Sequence, residues 1–276
     1  MPKILEINSL SKIYGKGCSY CNKIIYEKSE ESICPECNSV LALKDISFSI
    51  KKGDRFGIVG ESGSGKSTLL KILYLLETPT TGDVIIYDNS APRHMSNISI
   101  NQVNYFQNNI MSFIRQNPYQ GLNFNFTASG NVAERVIAKG NQNFNSVREI
   151  SNSFLSKTGI LKNRFYDLPS QFSGGQQQRI QIAKALASNP QIILLDEPTT
   201  GLDLTIQAVI LDLLKALYEE YGFTMVVVSH DLGIIKHLTD ICIVMKNGSI
   251  VEFGLTDQIL QDPQHPYTQS LISSML

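Results

Sequence analysis

The chain of 276 residues is long enough to bury a full α/β core and a smaller helical subdomain. Its formal net charge of −1 gives no sign of a basic face for nucleic acid. No apolar run reaches the roughly 18 residues of a membrane span, and the N-terminus lacks the apolar core of a signal peptide. We therefore expect an α/β protein of the cytoplasm, with any membrane-spanning partner on a separate chain.

Residues 1–14 and 38–59 have the pattern of the antiparallel strands and the first core strand of a nucleotide-binding lobe. An insertion, residues 15–40, carries two C-x₂-C pairs and is called the knuckle below. Each pair makes a tight turn with two thiolates, and four thiolates close a tetrahedral site, most simply for Zn²⁺, with iron or an Fe–S cluster as the alternative. Because every ligand would be a protein thiolate, we predict a structural metal. The four predicted ligands are Cys18, Cys21, Cys34 and Cys37.

A phosphate-binding loop follows the predicted strand Arg55–Val59 and precedes a helix predicted over 66–76. Its glycines let the backbone turn tightly and bring amides against phosphate oxygens, next to the positive end of the helix dipole. Lys66 is expected to reach the β- and γ-phosphates, and the Ser67 hydroxyl is expected to ligate Mg²⁺. The predicted ATP-binding residues of this segment are Gly60, Glu61, Ser62, Gly63, Ser64, Gly65, Lys66, Ser67 and Thr68.

Two adjacent acids, Asp196 and Glu197, follow the apolar run 191–195. Such a run predicts a parallel strand buried on both faces, and ligands bind at the carboxyl ends of these strands. Asp196 is expected to hold Mg²⁺, directly or through water, and Glu197 to act as the general base on the attacking water. The sequence thus predicts Mg²⁺-dependent ATP hydrolysis.

The region from about 97 to 172 is rich in Asn and Gln and contains several turn-forming glycines, which predicts a helical subdomain. At its end, Ser173 is predicted to cap a helix running to Ala187. Residues 190–254 alternate short apolar strands with helices and should complete a mostly parallel sheet. We predict one nucleotide-binding domain over 1–276, with an antiparallel β subdomain and a helical subdomain.

The order of these motifs resembles the ATP-binding cassette (ABC) ATPases across essentially the whole chain. The resemblance implies ATP held between two protomers, identical or paralogous, with Tyr14 stacked on adenine and His230 sensing the γ-phosphate. It also implies that Gln116 helps to hold Mg²⁺ and that Asp203 lies in a loop at the dimer interface. Phe172 stands where the family usually has leucine, and it keeps an apolar anchor. The signature residues expected to contact the γ-phosphate of the opposite protomer are Ser173, Gly174, Gly175 and Gln176.

The knuckle follows Tyr14 directly, so we expect it near the adenine edge of the lobe, as a docking surface or a clamp on the adenine-binding loop. Residues 22–33, between its cysteine pairs, are mainly charged and polar, which is typical of a solvated hairpin. A fifth cysteine, Cys242, lies in an apolar strand and is predicted to be a small core residue.

Segments outside the ATPase motifs resemble two groups of that family. The tail segments 254–257 and 262–269 are similar to the ATPases of oligopeptide and dipeptide importers and to the ATP-binding protein of the phosphonate carbon–phosphorus lyase system. The resemblance implies an ATPase acting on soluble carbon–phosphorus lyase core subunits. The alternatives are the ATPase of a peptide or nickel-type importer, docked on membrane permeases at the inner face of the membrane, and an ATP-dependent assembly switch. The segments that favour the lyase group are the knuckle, 116–122, 130–135, 167–169 and 271–276.

Overall fold

The chain passes from one folded unit into a second and then returns. The computed structural model describes residues 1–27, 29–88 and 91–274. The first unit runs from Met1 to Val103 and resumes at Val226, and the second runs from Asn104 to Met225. Within those described ranges, no helix is both long and apolar enough to cross a membrane. The last two residues of the segment 271–276 lie outside the described residues.

Strands and helices alternate along much of the chain. The strands are β1 (Lys3–Tyr14), β2 (Val40–Lys51), β3 (Arg55–Val59), β4 (Thr81–Asp88), β5 (Ala91–His94), β6 (Met111–Ile114), β7 (Ile192–Asp196), β8 (Thr224–Ser229), β9 (Ile241–Lys246) and β10 (Ser249–Leu255). The helices are α1 (Ser19–Tyr26), α2 (Lys66–Leu73), α3 (Ile100–Tyr105), α4 (Pro118–Gly121), α5 (Ala128–Ala138), α6 (Phe144–Lys157), α7 (Gly174–Leu186), α8 (Leu204–Tyr221), α9 (Leu232–Leu238), α10 (Thr256–Gln261) and α11 (Pro266–Ser273).

The first unit contains two sets of strands. The antiparallel sheet has the order β2-β1-β4-β5, and the second set has the order β10-β9-β3-β8. Strand β3 pairs in parallel with β9, with Ile58 opposite Ile243, whereas β10 runs antiparallel to β9. Both Ile58 and Ile243 are fully buried, as expected for a strand covered on both faces. The phosphate loop therefore leaves the carboxyl end of a buried parallel strand.

The second unit joins a parallel strand pair to a group of helices. Strand β6 pairs with β7, with Ile114 opposite Leu195. Helices α5, α6 and α7 pack around buried apolar residues that include Val132, Leu155 and Ile180. Each of these helices is preceded by a capping residue whose side chain accepts a hydrogen bond from a backbone amide of the first turn. Such caps are needed because the first amides of a helix have no partner within it. The capping residues are Thr127, Asn143 and Ser173.

Two local predictions differ from the structure. The helix after the phosphate loop ends at Leu73 rather than at residue 76. Leu75 has a φ of 61°, a left-handed conformation that is incompatible with a right-handed α-helix. The solvated hairpin predicted for 22–33 is wrong at its start, since α1 occupies Ser19–Tyr26. Helical spacing places Cys21, Ile24 and Ile25 on one face, which is buried in a small apolar cluster with Cys34 and Leu41.

Candidate ATP site and four-cysteine centre

Two glycines of the phosphate loop are required by the close approach of neighbouring backbone. Gly65, the residue before α2, has a φ of 101°, and a Cβ there would lie 2.3 Å from the Ala42 carbonyl oxygen. A Cβ on Gly60 would lie 2.2 Å from the carbonyl oxygen of Met245. No side chain fits at either distance, so the loop takes this shape only with glycine at both positions.

The Lys66 ammonium lies inside the phosphate loop. The side chain is buried, and its Nζ donates to the carbonyl oxygens of Gly60 and Glu61, both at 2.7 Å. The Ser64 hydroxyl oxygen lies 3.4 Å away. These partners are oxygens of the loop itself, so the bonds hold the ammonium within the loop. The described geometry therefore suits the predicted role of Lys66.

Tyr14, the residue predicted to stack on adenine, ends β1 and keeps 38% of its surface exposed. Its hydroxyl donates to a carboxylate oxygen of Glu77. The Nζ atom of Lys12 lies 5.0 Å from the centre of the ring. Partial burial and the Glu77 carboxylate raise the pKa of the Tyr14 hydroxyl. The aromatic ring is thus tethered by its hydroxyl and stands next to a cation.

The second unit brings Gln116 and Glu197 together. Asp196 is the last residue of β7, and Glu197 follows it with a φ of 45°. That left-handed conformation is uncommon for a glutamate and is one of the strained geometries that cluster at functional sites. The Glu197 Oε2 atom accepts a bond of 3.2 Å from Gln116 Nε2 and one of 2.9 Å from the Thr200 hydroxyl. These two donors orient the carboxylate that is predicted to act as the general base.

The signature segment begins α7 with a reciprocal capping arrangement. The Ser173 hydroxyl accepts from the Gln176 amide, and Gln176 Oε1 accepts from the Ser173 amide at 3.2 Å. A Cβ on Gly175 would lie 2.4 Å from Cγ2 of Ile206, so glycine allows α8 to approach α7 closely. Phe172 is buried, as expected of an apolar anchor.

Arg164 is a site residue that sequence reasoning missed. Its guanidinium donates to Gln176 Oε1 at 3.2 Å, to the Gln171 carbonyl at 2.8 Å and to Asp167 at 2.8 Å. It also stacks over the Phe172 ring, 4.1 Å from its centre. One side chain thus links the anchor, the preceding turn and the capping glutamine of the signature segment. No motif marks this arginine, and only its position just before 167–169 could have suggested it.

Asp203 and His230 lie at the ends of secondary-structure elements. Asp203 caps α8, since its Oδ1 accepts from the Ile206 amide at 3.0 Å. The neighbouring Leu204 is 82% exposed. His230 follows β8 and is exposed. The roles of these and the other ATP-site residues stay predictions.

The four predicted cysteine ligands converge on one point. The Sγ atoms of Cys18 and Cys34 lie 3.5 Å apart, as do those of Cys21 and Cys37, and Cys18 lies 3.8 Å from Cys21. All four sulfurs lie within 4.8 Å of one another, and none forms a disulfide. Zn–S bonds of about 2.3 Å in a regular tetrahedron separate the sulfurs by about 3.8 Å. The spacing therefore fits a four-thiolate metal.

The environments of two of these thiols differ. Burial raises the pKa of the Cys21 thiol to about 12, whereas the hydroxyl and backbone amide of Ser39 lower the pKa of the Cys37 thiol to about 6. The Ser39 hydroxyl oxygen also accepts from the Gly17 amide at 3.1 Å. A metal ion would have to displace the proton from Cys21, because metal ligands are thiolates. Cys242 is buried in β9 and takes no part in the cluster, as predicted for a core residue.

Comparison with known proteins extends over the whole chain. A family model described as "ABC transporter" matches residues 43–200, more than half of the sequence. The chain is 44% identical over 273 residues to the "Putative phosphonates utilization ATP-binding protein PhnK" of Escherichia coli (strain K12), covering 99% of this chain and 98% of that one. It is 35% identical over 275 residues to the "Oligopeptide transport ATP-binding protein OppF" of Lactococcus lactis subsp. lactis (strain IL1403), covering 100% of this chain and 81% of that one.

A solved structure confirms the fold class. The dimeric post-hydrolysis state of the ATP-binding cassette MJ0796, bound to ADP and Pi, matches with a TM-score of 0.75 at 32% identity, covering 92% of this chain and 99% of that one. The expected α/β cassette, with its antiparallel β subdomain and helical subdomain, is therefore correct, and the resemblance drawn from the motifs is confirmed. The chain belongs to the ABC transporter family and is an ATP-hydrolysing ABC ATPase.

Proposed function

We propose that this ABC ATPase acts on the soluble core subunits of a carbon–phosphorus lyase system in phosphonate catabolism. The observation that carries the proposal is the 44% identity to a protein named for phosphonates utilization, over nearly the full length of both chains. ATP binding would close a dimer, and hydrolysis would reopen it to remodel or gate the enzyme assembly. We place this activity in the cytoplasm, without nucleic acid, and we assign the bond-cleaving chemistry to other subunits.

An importer ATPase is the second candidate. The supporting observation is the 35% identity to an oligopeptide transport ATP-binding protein over 100% of this chain. In that case the same cassette would dock on membrane permeases. The match covers 81% of that relative, against 98% of the phosphonates utilization protein, which favours the first candidate.

For the ATP chemistry we propose that Lys66 and the phosphate-loop amides bind the phosphates and that Glu197 activates the attacking water. The two hydrogen bonds that orient the Glu197 carboxylate support this role. Bound Mg²⁺ would neutralise the charge that develops on the phosphate oxygens, with Ser67, Gln116 and Asp196 as its protein ligands. The signature segment and Asp203 would face a second protomer, and the match to a dimeric cassette supports such a dimer.

We also propose that the four cysteines of the knuckle hold a structural Zn²⁺. Three of the six sulfur separations are 3.5–3.8 Å and the others are within 4.8 Å, which supports this site because the edges of a tetrahedral four-thiolate zinc centre are about 3.8 Å. All the donors are thiolates, which favours zinc or iron over hard cations such as Mg²⁺. The metal content of the purified protein, measured by mass spectrometry, identifies the ion.

The first experiment is affinity capture with Glu197→Gln. Loss of the base should lower turnover by at least about 100-fold and keep ATP bound, which favours the closed dimer. The variant is loaded with ATP and used to capture partners from native cytosol and from detergent-solubilised membranes. Carbon–phosphorus lyase subunits are expected in the cytosolic fraction. Capture of multi-span permeases instead would overturn the proposal in favour of the importer.

A matched control is Glu219→Gln, which makes the same chemical change on the surface of α8. Its ATP turnover should equal that of the unaltered protein. Because this variant still hydrolyses ATP, the partners that it captures should be the same with and without ATP. Unchanged turnover in Glu197→Gln itself would remove this residue from the role of general base.

A further inference from the structure

The part of the knuckle at residues 29–31 rests on two lysines from the β-sheet elements. Lys44 of β2 is buried, and its Nζ donates to the carbonyl oxygens of Ser29 at 2.6 Å and Glu31 at 3.0 Å. Lys246 of β9 donates to Glu30 Oε1 at 2.7 Å and lowers the pKa of that carboxyl. Both contacts are charge-assisted, so they are stronger than neutral hydrogen bonds.

One of these lysines also contacts a tyrosine that holds the phosphate loop. The Nζ atom of Lys246 lies 5.4 Å from the centre of the Tyr267 ring. The Tyr267 hydroxyl accepts a hydrogen bond of 3.1 Å from the backbone amide of Glu61. His265 caps α11 by accepting from the Tyr267 amide at 3.1 Å, which fixes the tyrosine in place. Glu30, Lys246, Tyr267 and Glu61 therefore form a continuous chain of contacts.

A second connection runs through the turn after β9. The Gly248 amide donates to the carbonyl oxygen of Ser64 in the phosphate loop at 3.0 Å. The Gly248 carbonyl in turn accepts from the backbone amide of Lys44 at 2.7 Å. The same residue, Lys44, holds the 29–31 segment with its side chain and the turn with its backbone. The phosphate loop is thus connected to the knuckle on two sides.

Polar contacts, rather than apolar packing, determine where the 29–31 segment lies. A cavity of about 270 Å³ separates part of this segment from β10, and its walls include Ser29, Glu30, Lys44, Lys246 and His265. Because such a segment has little apolar surface to bury, its order depends on these lysines and on the folded knuckle to which it belongs.

We propose that the four-cysteine centre positions the phosphate loop through the 29–31 segment, with Lys44, Lys246 and Tyr267 as positioning residues. Metal binding in the knuckle would thereby raise the affinity for nucleotide. The physical reason is preorganisation, since a loop that is already held in its binding shape loses less conformational entropy when phosphate binds. The inference rests on the proposed metal site, and it extends the knuckle's role from the adenine edge to the phosphates.

The test compares the full-length protein with zinc bound, after chelation, and after zinc is restored. Zinc content is measured by mass spectrometry, the dissociation constant for ADP by calorimetry, and the hydrogen exchange of residues 60–67 in parallel. We expect chelation to weaken ADP binding about fivefold and to speed exchange in the phosphate loop, with recovery on zinc addition. Neither readout depends on ATP turnover.

Two variants with matched controls isolate the contact chain. Glu30→Gln removes the carboxylate charge that pairs with Lys246, and Tyr267→Phe removes the acceptor of the Glu61 amide. Each should weaken ADP binding about threefold in the zinc-bound protein, and each should reduce the further effect of chelation. The controls are Glu27→Gln, whose carboxylate pairs only weakly with Lys23 at 4.0 Å on the exposed side of α1, and Tyr26→Phe, whose side chain is 85% exposed.

The outcomes separate the two proposals. One zinc per chain with the same ADP affinity before and after chelation would overturn the positioning role and leave the metal site intact. Purified protein that holds no metal at the cysteines would overturn both. Equal losses in Glu30→Gln and Glu27→Gln would also contradict the positioning role, because they would reflect the overall charge of the knuckle and not the contact with Lys246.

Discussion

The phosphate loop and the knuckle are neighbours in the first unit, but different forces give them their shapes. In the loop, backbone carbonyls lie so close that only glycine fits at positions 60 and 65. In the knuckle, the apolar core is a small cluster of four buried residues, two of them cysteines, packed with Leu41 of β2. The loop is therefore shaped by the surrounding sheet, while the knuckle has only a small apolar core and four cysteine sulfurs that meet at one point.

This difference explains why the two segments tolerate different changes. A segment shaped by close backbone contacts is sensitive to atoms added at those contacts. A segment of few residues, with little apolar surface, cannot offset the conformational entropy of folding by burial alone and needs a metal or a disulfide. Each of the following predictions changes one of the two segments, with the strongest effect first.

Metal removal should have the largest effect. Structural four-thiolate zinc sites supply on the order of 10 kcal/mol of apparent folding free energy, so chelation or Cys34→Ser should unfold the knuckle locally. Hydrogen exchange should become fast over 15–40, while β3 and β9 stay protected. The control is Cys242→Ala, since Cys242 is outside the cluster and this variant should keep its full metal content. A knuckle that stays protected without metal would show that its apolar cluster suffices.

Added volume in the phosphate loop comes next. Gly65→Ala should lower the free energy of unfolding by about 3 kcal/mol, because it combines a left-handed φ with a Cβ placed 2.3 Å from the Ala42 carbonyl. Gly63→Ala is the matched control, with a φ of 84° and no atom within 4 Å of the added Cβ, and should cost about 1 kcal/mol. For both variants, urea unfolding measures the free energy of unfolding, and the affinity for ATP is measured in parallel. Equal costs would mean that close packing does not shape the loop.

The smallest effect is expected from Ser39→Ala in the knuckle. The Ser39 hydroxyl oxygen accepts from the Gly17 amide, and the hydroxyl lies 3.2 Å from Cys37 Sγ, whose thiolate form it stabilises, so its loss should cost about 1 kcal/mol locally. Zinc release to a chelator should become about fivefold faster, while the urea unfolding of the rest of the chain stays unchanged. The exposed Ser19 provides the control, as Ser19→Ala should release zinc at the original rate. An unchanged rate of zinc release in Ser39→Ala would show that the Ser39 hydroxyl does not affect how strongly the sulfurs hold zinc.

Much of the site could be predicted from sequence because its parts are local. The phosphate loop, the cap at Ser173 and the two cysteine pairs are short segments whose spacing sets their geometry. The boundaries of β3 were predicted correctly for the same reason, since the run Arg55–Val59 lies between turn-forming residues. The predicted roles of Tyr14, His230 and Asp203 come from family resemblance and await experiment.

The sequence by itself determined the family, the ATP motifs and the grouping of the four cysteines, because each follows from a short pattern. Only the tertiary structure decided that Ile24 and Ile25 are buried on a helix, that Arg164 holds the signature segment, and that Lys246 links the knuckle to Tyr267. These contacts join residues from separate parts of the chain, and each depends on strands and helices being packed first. Local spacing carries no information about such pairs, since the backbone between them can follow many paths.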